Sequence, residues 1–279
     1  KKANVIYTLP SKSIVKDFVN PKVTPLIESN PVLKEMMGET DNLGLKAVGD
    51  RFIYFRSSWD PASGIAISAH ILINDEVDRS NQQSLSTYKT RLDAAMLDRK
   101  DLGWWWKFSN PTIDGFGVDE EWQLSDQKRW FIKCKRCNHH QVLIFPESIN
   151  FQSKCYVCIK CQRPLSDDDR THGQWIKTYL GREISGYWIS QLMAPWIPAS
   201  KIIEDSLGDQ SIFYNFTLGL PYTSKDIVVT RDAITKCIFP TSNPMTDVAM
   251  GIDNGIVKHY VIGNRYGIFK IGSTEDWQE

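Results

Sequence analysis

The chain has 279 residues, with 33 basic and 33 acidic side chains, 42% hydrophobic and 24% charged content. That length buries a sizeable core and predicts more than one domain, while a formal charge of zero excludes a whole-molecule field steering it to nucleic acid, so any such contact must come from local patches. No apolar run approaches the roughly 20 residues that a membrane helix needs, and the start, Lys1-Lys2-Ala3-Asn4-Val5, lacks a signal-peptide layout, so a soluble, cytoplasmic protein without a membrane partner is expected.

In chain order, residues 3–19 predict a strand, a break at Pro10-Ser11 and a helix, with Ser11 as its cap. A second strand is expected from Arg51 to Arg56, and the 64–68 region leads into a third at Ile71. That third strand, Ile71-Leu72-Ile73-Asn74, ends in Asp75 and Glu76. A short apolar strand closing on two acids suits a parallel sheet, which binds ligands at the carboxyl edge of its strands. There Asp75 would hold the water shell of a magnesium ion and Glu76 would polarise an attacking water, as phosphoryl transfer requires. An ordinary strand followed by a solvated acidic turn fits the same residues. Helical spacing returns from Leu85 to Leu97, and the alternation of strands and helices predicts an α/β, doubly wound sheet.

The next strand begins near Leu102 and closes on the turn Ser109-Asn110-Pro111-Thr112. In a nucleotide-driven motor such a turn can sense the γ-phosphate; a Pro-containing turn that merely ends a strand is the plainer alternative. Trp104, Trp105 and Trp106 could stack bases, but aromatics on a strand serve mainly as apolar bulk packed against helices. No G-x-x-x-x-G-K-[ST] loop occurs in the sequence, so the usual phosphate cradle and its lysine are missing. Either the protein extends further toward its amino end or it is not a working ATPase; the mid-sheet character of the first strand favours the former.

Cys134-Lys135-Arg136-Cys137 and Cys158-Ile159-Lys160-Cys161 are two C-x-x-C knuckles at zinc-ribbon spacing. Four thiolates satisfy a tetrahedral structural zinc and leave no open position. Cys155 competes as a ligand but would give a different loop, and Cys237 reads as a small buried apolar residue. His139 and His140 are expected on the surface or against phosphates. Between Gln127 and Val142 lie Lys128, Arg129, Lys133, Lys135 and Arg136 and no acid; these cations either compensate the minus-two charge of a four-thiolate zinc or grip DNA phosphates. Asp167-Asp168-Asp169 reads as a solvated turn.

The stretches 184–192 and 213–222 are aromatic-rich and suggest packing, with a helix from Ser200 to Ser206 between them. From Asp247 the pattern becomes two strands joined by a tight turn, with Asp253 in the first. A lone acid in a hairpin is usually a turn former; the alternative is the first metal-binding carboxylate of a ribonuclease H-like fold.

Taken in order, these landmarks resemble the large terminase subunit of tailed bacteriophages, in particular its lambda-type branch. The resemblance rests on the acidic strand from Ile71 to Asp78, the turn at 109–112, and Leu124-Ser125-Asp126-Gln127-Lys128-Arg129 leading into Cys134 and Cys137. It continues through the second knuckle, Gly173-Gln174-Trp175 and Leu218-Gly219-Leu220-Pro221-Tyr222. It implies a motor that hydrolyses ATP with Mg2+ to pump double-stranded DNA into a procapsid, and a nuclease using Mg2+ or Mn2+ to cut concatemers. Asp75 and Glu76 are then the Walker B pair, Ser109–Thr112 the coupling motif and Asp253 the first nuclease acid. The implied partners are the portal protein, the small terminase subunit and further copies in a ring. The implied architecture is a partial RecA-like ATPase sheet over 1–128, a zinc ribbon over 129–178, a linker or subdomain over 179–243 and the start of a ribonuclease H-like domain over 244–279. With the phosphate loop and the later nuclease acids absent, neither activity is expected to be complete. Two alternatives stand beside it: a helicase carrying a zinc ribbon, and a non-enzymatic zinc-ribbon module that binds DNA.

Overall fold

A computed structural model describes residues 3–60, 64, 67–93, 103–224, 235–236, 247–254 and 257–274. The chain divides into two units, Lys1–Ser224 and Lys225–Glu279.

The first unit is built on a six-stranded sheet of β1 (Val5–Leu9), β2 (Met37–Asn42), β3 (Leu45–Val48), β4 (Arg51–Ser57), β5 (Ile71–Asp75) and β6 (Trp104–Phe108). The order is β2-β3-β4-β1-β5-β6. The run from β4 through β1 and β5 to β6 is parallel, and β2 and β3 extend it antiparallel at one side. The first strand is therefore interior, hydrogen-bonded on both sides, as its residues predict. Its alternation sends Ile6 into a buried cluster with Leu72, Tyr88 and Leu92, and Leu9 into another with Val15, Val19 and Phe55. Both faces of β1 are thus covered, which is why that strand carries so little polar alternation.

Local chemistry sets the flanking helices. Ser11 caps α1 (Lys12–Phe18), its Oγ accepting from the Ile14 amide at 3.2 Å, as expected. Asn81 caps α2 (Gln82–Lys89) in the same way through the Ser84 amide at 2.9 Å. The helix predicted to reach Leu97 passes into a 3-10 turn over Thr90–Leu92, and its last residues lie outside the described ones. After β6 the chain forms α3 (Val118–Leu124), with Asp119, Glu120 and Glu121 in its first turn, where acids suit the positive end of the helix dipole.

Three expectations are corrected. Of the tryptophans on β6, only Trp105 packs inward against an apolar cluster; Trp104 and Trp106 are 43% and 50% exposed and stack on each other with centroids 6.4 Å apart, because strand alternation puts them on the opposite face. Asp167–Asp169 are not a free turn: they open α4 (Asp167–Thr171), where Ser166 and Asp169 form a reciprocal capping box. Lys128, expected among the phosphate-gripping cations, is 8% exposed and pairs with Asp126 at 2.6 Å.

Beyond the large sheet, β7 (Arg129–Lys133), β8 (His140–Gln141) and β11 (Gly173–Ile176) form one small sheet, and β9 (Ile149–Asn150) and β10 (Cys155–Tyr156) another. Their core is shared with the segment after β11: Ile132, Leu143, Tyr156 and Leu165 cluster with Leu192, Ile202 of α5 (Ala199–Ser206), Phe213 and Leu218. In the second unit, β12 (Ala249–Asn254), β13 (Lys258–Asn264) and β14 (Gly267–Thr274) make an antiparallel meander, one strand more than the hairpin predicted. Cys237 lies outside the described residues.

Candidate functional site

Asp75 is the last residue of β5, at the carboxyl edge of the sheet. Its Oδ1 accepts from the Glu76 amide at 3.0 Å and its Oδ2 from the Tyr7 hydroxyl at 2.6 Å. Tyr7 stands on the neighbouring parallel strand opposite Ile73, and its ring stacks on Phe18 at 5.0 Å. Burial, then the bond to Asp75, pushes the Tyr7 hydroxyl well above its ordinary pKa, so it remains a donor throughout the working pH range. Glu76 follows at φ +53°, ψ +49°, a left-handed conformation uncommon outside glycine and found disproportionately at functional sites. Behind the acids, Asn74 is fully buried; its amide donates to Thr8 Oγ1 at 2.6 Å and its carbonyl oxygen accepts from the Trp105 indole. That chain of polar contacts ties β1, β5 and β6 together one residue below the carboxylates.

The turn Ser109–Thr112 leaves the carboxyl end of β6, the strand paired with β5. It is fastened to the acidic loop: the Asp78 amide donates to Ser109 Oγ at 3.2 Å, and Asp78 Oδ2 accepts from both the amide and the hydroxyl of Thr112 at 2.8 Å. On its other side, the Thr112 carbonyl accepts from the Tyr222 amide at 3.0 Å. Asp75, Glu76, Ser109, Asn110 and Pro111 line one cleft of about 700 Å³. Much of the remaining lining is aromatic: Tyr187, Trp188 and Phe216, from segments read as mere packing, and Trp196, with Arg129 among them. The Arg129 guanidinium lies 5.4 Å from the Trp188 ring centre. Lys107 enters the same cleft; burial lowers its pKa despite the ion pair with Glu121.

The four cysteines converge. Cys134 Sγ and Cys161 Sγ are 3.9 Å apart, Cys137 Sγ and Cys158 Sγ 3.6 Å, and all four sulfurs lie within 4.8 Å of one another. A tetrahedral ion with metal–sulfur bonds near 2.3 Å demands edges of about 3.8 Å, so the donor set fits zinc. The two knuckles are built alike: Asn138 and Gln162, each just after its second cysteine, take positive φ and return their amides to the carbonyls of Cys134 and Cys158. The His139 amide lowers the pKa of Cys137, but burial and the three neighbouring thiols outweigh it and push it up to about 12; a bound divalent ion reverses that crowding by taking the sulfurs as thiolates. Cys155 stands outside the cluster, with Ser153 Oγ 3.1 Å from its sulfur.

Of the basic residues near the knuckles, Lys133 and Arg136 are exposed, and among the described residues neither pairs with a carboxylate. Lys135, also exposed, pairs with Asp168. Lys128 is consumed by Asp126 and by Ser185 Oγ at 2.9 Å. His140 is exposed, and His139 gives its carbonyl to the Cys134 amide. In the second unit Asp253 is exposed on β12 opposite His259. Sequence reasoning passes over Tyr7, Asn74 and Asp78; the only local hint is that Asp78 shares a short acidic loop with Asp75 and Glu76.

The family model described as "Phage terminase large subunit gpA, ATPase domain" matches residues 1–178. No curated protein matches the chain. Among solved structures it is similar to the large terminase from a thermophilic bacteriophage, at 10% identity and a TM-score of 0.43, over 94% of this chain and 52% of that one. The same terminase in complex with ADP is matched at 9% identity and 0.43, over 98% and 55%. The HK97 bacteriophage large terminase is matched at 15% identity and 0.40, over 94% and 49%. The chain spans about half the length of these terminases.

Proposed function

This chain belongs to the family of the phage terminase large subunit gpA ATPase domain, and on that premise we propose that it is the carboxylate-bearing part of an ATP-driven motor that packages double-stranded viral DNA into a procapsid. The observation that carries the reading is the cleft shared by Asp75, Glu76 and the Ser109–Pro111 turn at the carboxyl ends of adjacent parallel strands. In it Asp75, oriented by the Tyr7 hydroxyl, holds the hydrated magnesium ion, Glu76 polarises the attacking water, and Ser109, Asn110, Pro111 and Thr112 form the turn that responds to the nucleotide. Magnesium, when bound with ATP, neutralises charge developing on the phosphates. The usual glycine-lysine phosphate loop does not occur in residues 1–279, so on this proposal these residues supply the metal and water side of the site.

Within this proposal the sheet of the first unit is RecA-like, and the ribbon holds one structural zinc through Cys134, Cys137, Cys158 and Cys161. Lys133, Lys135, Arg136 and Arg129 supply phosphate contacts to DNA, whereas Lys128 serves the fold. The meander of the second unit opens a ribonuclease H-like nuclease with Asp253 as its first ligand for Mg2+ or Mn2+. Portal protein, small terminase subunit and a homo-oligomeric ring complete the assembly. The family membership turns the reading away from a helicase. Two substitutions in a complete large subunit test the assignments. Asp75→Ala should weaken magnesium-nucleotide binding at least roughly tenfold, since it removes a charged ligand of the ion's shell; unchanged binding would remove Asp75 from the metal site. Asp253→Ala should abolish metal-dependent DNA cleavage and spare ATP hydrolysis; retained cleavage would place the nuclease acid elsewhere.

A further inference from the structure

We propose that Asp78 is a positioning residue whose carboxylate fastens the Ser109–Thr112 turn and the start of α3 to the loop carrying Glu76, so that a shift of the turn is transmitted to the glutamate. The inference rests on the carboxylate-pair reading above and adds a residue to it.

The connections meet at one side chain. Asp78 Oδ2 accepts from the amide and the hydroxyl of Thr112, both at 2.8 Å, and Oδ1 accepts from the Val118 amide at 2.8 Å. Its own amide donates to Ser109 Oγ at 3.2 Å. Three segments that are far apart in sequence are thereby joined: the loop after β5, the turn after β6 and the first turn of α3. The fit is close. Gly117 has φ +59°, and a Cβ there would lie 2.4 Å from Asp78 Oδ1, so only glycine lets the backbone approach the carboxylate.

Geometry also gives the link a direction of travel. Glu76 and Asp78 are separated by one residue at the entry to a single 3-10 turn, Val77–Arg79, which is closed by the Arg79 amide on the Glu76 carbonyl at 3.0 Å. Moving Asp78 therefore moves the backbone that holds Glu76 in its left-handed conformation. The Ser109–Thr112 turn is also held by the Tyr222 amide on the Thr112 carbonyl, and Leu220 and Pro221, just before Tyr222, line the same cleft. The turn thus has two attachments at Thr112, with Asp78 as the one to the acidic loop.

The test is a double-mutant cycle in a complete large subunit, read by magnesium-ATP binding and by the turnover number for ATP hydrolysis. Asp78→Asn is nearly isosteric but cannot accept at both oxygens; it should keep magnesium-ATP affinity within twofold and lower turnover at least tenfold. Gly117→Ala, which displaces the carboxylate without removing it, should act in the same direction. In the Glu76→Gln background Asp78→Asn should cost less than a further twofold, because two residues acting through one step are not additive. If Glu76→Gln slows hydrolysis and Asp78→Asn does not, the fastening is wrong and the carboxylate pair stands. If Asp78→Asn loses nucleotide affinity together with turnover, or its effect multiplies with that of Glu76→Gln, Asp78 only supports the fold and the proposal is overturned. If Glu76→Gln itself hydrolyses at the parental rate, the carboxylate-pair reading falls and takes this inference with it.

Discussion

Tyr7→Phe tests the proposed role of Asp75 as a metal ligand. The ring stays stacked on Phe18, but the 2.6 Å bond to Asp75 is lost. Outer contacts that orient a metal ligand are worth about 10–100-fold in metal affinity, so the magnesium concentration for half-maximal ATP hydrolysis should rise about tenfold in a complete subunit. A magnesium titration at saturating ATP measures it, and an unchanged midpoint would mean that Asp75 needs no such support. Tyr7 is not legible in the sequence because it lies 68 residues from Asp75. Only the parallel register that sets Tyr7 opposite Ile73 brings its side chain onto the face from which Asp75 emerges, two residues further along. Asp75 and Glu76, by contrast, are readable in position, because an apolar strand ending in acids says where the residues sit, at the carboxyl edge of the sheet.

Among the elements, the ribbon offers two tests. Zinc analysis should find one ion per chain, and Cys134→Ser or Cys158→Ser should lose it, while Cys155→Ser should retain it. Structural zinc contributes on the order of 10–16 kcal/mol of apparent binding free energy, and because the ribbon shares its core with Ile202 of α5 and with Phe213 and Leu218 after it, the loss should reach beyond the knuckles. Zinc retained by Cys134→Ser and lost from Cys155→Ser would contradict the ligand set. The second test concerns the base of the ribbon, where buried Asp126 meets Lys128 at 2.6 Å, Lys177 at 3.3 Å and the Gly186 amide at 3.0 Å. Burial raises its pKa, but these partners outweigh burial and hold it below the usual aspartate value. A depressed carboxylate stabilises the fold above its unfolded pKa, about 3.9, and the contribution disappears as pH falls through the folded value. Asp126→Asn should therefore destabilise the parent at neutral pH by about 3–5 kcal/mol, since it strands a buried lysine, and the gap to the parent should narrow below about pH 4. Denaturant melts at about pH 7 and at steps below about pH 4 measure this; a gap that stays constant as the pH falls would refute it. The knuckles are legible because four thiolates need a fixed spacing, but the role of Lys128 is not. A lysine in a basic run looks solvent-facing until its partner is known, and here Asp126, two residues earlier, takes it inward.

Across the chain, the order of landmarks carries more information than any one of them, and it leads to the family that matches residues 1–178. The aromatic lining of the cleft stays hidden from the sequence. Tyr187, Trp188, Trp196 and Phe216 have the composition of packing residues, and only the return of the chain after the ribbon brings them into one cleft with the acids. The proposed mechanism turns on Glu76 activating water in this cleft while Asp75 holds the metal. Measuring ATP turnover and magnesium-ATP affinity side by side for Glu76→Gln in a complete large subunit separates those two roles. Affinity should stay within twofold of the parent while turnover falls by about 10²–10⁴-fold, the usual contribution of a positioned general base. Hydrolysis at the parental rate would contradict the assignment of Glu76.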